Sequence, residues 1–150
     1  MTRAWEDFFA GQVLELGSVT VDEDEMLTFS HRFDPQPFHV DEAAAAQSSF
    51  GGIIASGWFT CALFMRLWVD AILNDSTSQG APGVSEVRWL APVRAGDGLR
   101  GVVYVLESYP SQRNPNRGTL MLRAEMIRDD TVVMRCEFRT LVGRRDPAHT

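Results

Sequence analysis

The sequence contains no lysine. All 14 of its basic residues are arginine, set against 20 aspartates and glutamates for a formal net charge of −6. Schiff-base and other amine chemistry on lysine is therefore excluded. An acidic chain without a basic stripe also lacks the phosphate-neutralising surface that nucleic-acid binding needs. Cysteine is scarce as well. Cys61 and Cys136 stand in apolar runs with no CxxC or His-linked spacing, a pattern expected of small buried residues in a reducing compartment. The amino terminus, MTRAWEDFFAGQ, carries acids and aromatics where an export signal needs a basic start and an apolar run, so the expected location is the cytoplasm. No apolar run reaches the roughly 20 residues of a membrane span: the greasiest stretch, Trp58 to Leu73, is shorter and includes Arg66 and Asp70.

What remains is ordinary globular material. The 150 residues are 45% apolar and 23% charged, which suits one domain with one core. Residues 1–18 read as an arm lying on that domain. Asp22 to Glu25 place acids at the start of a helix expected from Glu23 to Arg32, although Leu27, Phe29, His31 and Phe33 also alternate as a strand would. Pro35 and Pro37 then impose an extended segment from Asp34 to His39. Asp41 is placed to cap a short alanine-rich helix that Gly51-Gly52 ends. The Trp58–Leu73 helix is apolar nearly all round, so other elements must wrap it. Four strands are expected to do so, at 84–92, 99–109, 119–127 and 131–142, as an antiparallel meander with one buried face. In the last of them Val132, Met134, Cys136, Phe138 and Thr140 would form the apolar side. The tail GRRDPAHT, residues 143–150, reads as flexible. The sum is an α+β domain, a curved antiparallel sheet around one long helix, for which the hot-dog fold is the natural candidate.

Chemistry concentrates between residues 31 and 58. Of the three histidines, His149 lies in the tail, but His39 stands five residues after Asp34 and two before Asp41 on a proline-stiffened segment. A carboxylate and an imidazole held there can converge on one water and move protons near neutral pH. Equally, the pair could be a capping Asp and a His satisfied at a helix start. Ser56 and Gly57 open the apolar helix, where unpaired amides and the positive end of the helix dipole project. Such an amide suits an oxygen that gains negative charge, while a plain N-cap and a packing glycine are the structural alternative. His31, Asp34, His39 and Asp41 together offer donors for a metal, at a spacing that matches no closed zinc motif.

The run FSHRFDPQPFHVDEAAAAQSSFGGIIASGWF resembles the signature of MaoC-like dehydratases and (R)-specific enoyl-CoA hydratases, roughly D-x-N-P-x-H-x-D followed by F-G-x-x-x-A-H-G. The piece Val87 to Asp97, VRWLAPVRAGD, is similar to that family's later PV-x-x-GD element, so the resemblance extends from about Val19 to Val142. It implies a hot-dog fold acting as a homodimer or larger homo-oligomer, with acyl-CoA bound where two units meet. It further implies reversible syn addition of water to a trans-2-enoyl-CoA, without cofactor or metal. On this chain Asp34 and His39 match the catalytic pair, and Gly57 the glycine whose amide receives the thioester oxygen. Gln36 stands where the family has Asn, Ser56 where it has His, and Met65 where well-known hydratases carry a hydroxyl on the central helix. Gln36, Ser56 and Trp58 are therefore expected at the substrate. Trp58, Phe59 and Trp89 are candidate acyl contacts. Arg88, Arg94, Arg113, Arg117 and Arg123 are candidates for the CoA phosphates, foremost the loop pair Arg113 and Arg117. Two other functions fit the same scaffold: an acyl-CoA-binding subunit that has lost turnover, and a thioesterase, for which Asp70 is the only acid on the helix.

Overall fold

The computed structural model describes residues 1–146. A five-stranded antiparallel sheet, ordered β1-β3-β4-β5-β2, carries one long helix, α4, on its apolar face. The strands are β1 (Val13–Thr20), β2 (Gly83–Trp89), β3 (Gly98–Pro110), β4 (Arg117–Arg128) and β5 (Thr131–Gly143). The helices are α1 (Glu23–Phe33), α2 (Pro37–Val40), α3 (Glu42–Gln47) and α4 (Gly57–Ala71). The expected α+β architecture is present.

Of the expected amino-terminal arm, residues 13–18 belong to an edge strand, while Ala4 and Phe8 ahead of it are buried against the domain. Residues 13–20 pair with β3, burying Leu14 and Leu16 while Glu15 faces out to Arg100. Alternation over these residues was the strand signal, and it is broken at Gly17, whose positive φ of 84° sits within a bulge between Glu15 and Ser18. The expected four-strand meander holds only for β3-β4-β5. β2 crosses to the far edge and pairs with β5, because the connection from Leu90 to Asp97 runs back across the end of the sheet. Asp97 fixes that connection: its Oδ2 accepts from Arg94 N and from Arg128 Nη1, which also donates to Pro92 O.

α1 forms as a helix, capped by the Asp22 carboxylate accepting from Glu25 N. A helix prevails over the alternating pattern because three acids follow the cap in the first turn and Met26 and Ser30 turn inward together. The segment expected to be extended through His39 instead closes one helical turn, α2. Pro37 occupies its first position, where the missing N–H costs nothing. Asp41 caps α3 as expected, accepting from Ala44 N.

α4 is wrapped on one side only. Phe59, Thr60, Leu63, Phe64 and Trp68 are buried against the sheet, and Phe64 and Trp68 pack edge-on to Phe138 of β5. Trp58 and Met65 remain exposed on the opposite side, beside the unpaired edge of β2. Arg66 and Asp70 pair on the surface at 2.7 Å. β5 departs from strict alternation: a register shift opposite Met126/Ile127 buries Val133 as well as Met134. Arg144 and Arg145 are tied to Glu6 and Asp7, so the start of the expected tail is anchored. His149 lies outside the described residues. Among the described residues no helix is long and apolar enough to cross a membrane.

Candidate active site

α1 ends at Asp34, whose backbone leaves the helix with φ −151° and turns the carboxylate back toward the start of α4. α2 then brings His39 round beside it, with Nε2 3.2 Å from Asp34 Oδ2. The imidazole is buried, its Nδ1 2.8 Å from the Ile54 carbonyl. A carbonyl only accepts, so Nδ1 carries the proton and Nε2 is the nitrogen presented to the carboxylate. In a neutral ring that nitrogen is a lone pair. The contact between His39 and Asp34 thus has room for one transferable proton.

Two further donors engage the same carboxylate. Ser56 Oγ donates to Oδ2 and Gln36 Nε2 to Oδ1, both at 2.8 Å. Burial alone would push the Asp34 carboxyl up; the Gln36 and Ser56 bonds, and then the nearby His39 charge, more than offset it and hold it below the usual carboxylate range. Ser56 is fully buried and makes no side-chain cap on α4. The expectation that it touches substrate is corrected on that ground: its hydroxyl stands behind Asp34 as a support.

With the Ser56 side chain committed, the first amides of α4 have no cap. Phe59 N and Thr60 N turn to Ser56 O, and Gly57 N–H projects from the helix start. The helix start is held by Ala55 N donating to Val93 O. The Gly51-Gly52 loop before it is held by Arg94, which donates to Phe50 O at 2.6 Å and to Ile53 O at 3.4 Å. His39 and Gly57 line one cavity of about 370 Å³ with Ile54, Thr60, Trp89 and Val133 among its walls. Gly57 is required sterically as well: a Cβ there would lie 2.4 Å from the Trp89 ring.

Asp34, Gln36, His39, Ser56 and Gly57 thus form one cluster. Other expected contacts are elsewhere. Trp58 is exposed on the far side of the helix start, and Phe59 is core, its ring 5.5 Å from Phe29. Arg113 and Arg117 lie at the β3–β4 turn. The 12 residues of β4, on the order of 40 Å of extended chain, run from there to the β4–β5 turn near the cavity, so they do not reach this site. Arg88 and Arg123 pair with Glu86 and Glu137. His31 is exposed on the last turn of α1 and Asp41 is occupied as a cap; among the described residues no three His, Cys, Asp or Glu side chains gather as a metal site. Residue-by-residue reading missed Val133 and Ile54. Their contributions come from a bulge and a backbone carbonyl, which leave no side-chain signal.

A family model described as the MaoC like domain matches residues 8–121. The protein YdeM of Bacillus subtilis (strain 168) is 32% identical over 117 residues, 78% of this chain and 83% of YdeM. The crystal structure of the MaoC-like dehydratase from Rhodospirillum rubrum superposes with a TM-score of 0.87 at 34% identity, over 96% of this chain and 99% of that one. The unliganded R-hydratase PhaJ1 from Pseudomonas aeruginosa superposes at 0.74 and 23% identity, over 99% and 94%. The sheet and helix are those of the hot-dog fold.

Proposed function

Given that this chain belongs to the MaoC-like domain family, we propose that it hydrates trans-2-enoyl-CoA thioesters reversibly to 3-hydroxyacyl-CoA. The observation that carries the reading is an imidazole that lines a mostly apolar cavity together with Gly57 at the uncapped start of α4, and that is paired at 3.2 Å with the Asp34 carboxylate. In the hydration direction the thioester oxygen lies against Gly57 N–H, which stabilises the enolate as negative charge builds on it. Water held between Asp34 and His39 loses a proton to the pair as its oxygen bonds to C3. The pair returns one proton to C2, so it ends the cycle as it began. Ser56 and Gln36 keep the carboxylate ionised and aimed.

The unpaired edge of β2 and the exposed Trp58, Met65, Val84, Trp89 and Leu90 around it favour a second copy of the chain as partner, which would enclose the mouth of the cavity. Sedimentation of the purified protein at micromolar concentration tests this; a monomer would overturn it.

The activity is tested by following loss of the conjugated-thioester absorbance with crotonyl-CoA and longer enoyl-CoAs. Turnover is expected, and Asp34→Asn should lower it by about 10²–10⁴-fold with the fold retained. Folded protein that turns over none of them, yet binds them equally well with Asn at position 34, would favour the acyl-CoA-binding alternative. Release of free thiol would point to hydrolysis instead.

A further inference from the structure

Thr60, the fourth residue of α4, stands on the wall of the dyad cavity with His39 and Gly57 and is only 2% exposed. A buried helical threonine commonly returns its hydroxyl to the carbonyl four residues back. Here that carbonyl is Ser56 O, and its two lone pairs are already engaged, by Phe59 N at 3.0 Å and Thr60 N at 3.2 Å. Among the described residues the Thr60 hydroxyl accordingly makes no hydrogen bond. Ser56, the other buried hydroxyl at this helix start, is committed to Asp34. Nor is the Thr60 hydroxyl sealed inside the protein. Among the described residues the side-chain polar atoms enclosed without a partner are Trp5 Nε1, Ser30 Oγ, Arg117 Nε and Arg144 Nε, so Thr60 Oγ1 belongs to the small part of the residue that opens into the cavity.

The helix sets the direction of that side chain. Cα–Cβ bonds tilt toward the helix N-terminus, so a residue covers the turn before its own Cα. For Thr60 that turn begins at Gly57, three residues back on the same face. Gly57 has no side chain to occupy the space, and the Trp89 ring closes off its Cα, 2.4 Å from where a Cβ would lie. The uncapped Gly57 N–H and the Thr60 hydroxyl are therefore neighbouring donors on one wall. We propose that Thr60 is the second donor to the thioester oxygen: its O–H joins Gly57 N–H in receiving the enolate, and the bond strengthens as negative charge builds there. The proposal rests on the hydratase reading and adds to it a side chain that touches the reacting group. A buried hydroxyl without a partner is unfavourable in the free protein. The thioester oxygen supplies the acceptor only when substrate is bound.

The test compares Thr60→Val, which keeps the shape and loses the donor, with Thr60→Ser, which keeps the donor; Thr60→Ala replaces the valine variant if that one does not fold. On crotonyl-CoA, kcat of Thr60→Val should fall by about 10²–10³-fold, with KM nearly unchanged because the lost bond matters most in the transition state. Thr60→Ser should recover most of the loss. A merely structural role would not move the thioester carbonyl stretch of bound crotonyl-CoA. In infrared difference spectra on the Asp34→Asn background, where turnover is suppressed, that band should shift to higher wavenumber when Thr60 becomes Val. A folded Thr60→Val with wild-type kcat, or a band at the same wavenumber with and without the hydroxyl, overturns the proposal and leaves hydration standing. If the wild type turns over no enoyl-CoA, hydration itself fails. The band of the bound thioester, wild type against Thr60→Val, then decides the contact: a shift supports it and no shift overturns it. A wild type that binds no enoyl thioester overturns both.

Discussion

The β3-β4-β5 meander and the segment from Asp34 to Gly57 are built on opposite terms. The meander buries Leu99, Val103, Leu120, Leu122, Ala124, Met126 and Met134 almost completely, and its strands are 12 or 13 residues long. Each contact is one of many of the same kind. The segment has two helices of 4 and 6 residues and a glycine loop, and its shape depends on a few unique bonds: Nδ1 of His39 to Ile54 O, Ser56 to Asp34, Arg94 to Phe50 O. The sheet therefore carries stability and the segment carries geometry, so damage to each should be read out differently.

The widest separation is expected between Leu122→Ala and Asp34→Asn. Truncating the fully buried leucine should cost about 2–5 kcal/mol of unfolding free energy while kcat of the folded fraction stays near wild type. Asp34→Asn should do the reverse. Denaturant melts beside steady-state kinetics decide it; a parallel loss of both quantities in both variants would erase the distinction between the regions.

Gly57→Ala should be read out on both scales. The added Cβ would overlap the Trp89 ring, so about 1–3 kcal/mol of stability is expected to be lost to overpacking. kcat should fall too, because the helix start that presents the amide has to shift. A substitution that costs stability alone would mean that Gly57 serves only packing.

The smallest and most specific effect is expected for Ser56→Ala. Asp34 is held below its ordinary value partly by the Ser56 hydroxyl. Removing that donor raises the carboxyl, and the acid limb of kcat/KM against pH should move to higher pH. Ser56→Thr, which keeps the hydroxyl, should move it back. The same sign governs stability: a carboxyl depressed in the folded state stabilises above its unfolded value, and that contribution fades as pH falls through the folded one. In Ser56→Ala less of it is available to lose. A limb that does not move would exclude Ser56 as a support of the carboxylate.

Much of this was legible in the residues. Acids at 22–25 with apolar spacing marked α1, two prolines marked the break that lets Asp34 and His39 face each other, and the greasy run marked α4. β1 was less visible, because a bulge at Gly17 interrupts its alternation, and the move of β2 to the far edge was not visible at all. Pairing across a sheet is a choice among strands with the same pattern, and only the packing of the Leu90–Asp97 connection makes it. At the site, Asp34, His39, Ser56 and Gly57 were named from their types and spacing, and Gln36 from the family resemblance. That Ser56 serves Asp34, that Trp58 points away, and that Arg113 and Arg117 lie at the other end of β4 depend on directions in space that spacing along the chain does not encode.

The sequence by itself determined the kinds of chemistry open to this protein: no lysine amine, a carboxylate and an imidazole on one stiff segment, a glycine at the start of an apolar helix. Those follow from composition and local backbone constraint. The tertiary structure decided which nitrogen of His39 faces Asp34, what holds the carboxylate ionised, and which residues wall the cavity beside them. Each of those depends on groups from β2, β5 and the loops that come together only when the sheet closes over α4.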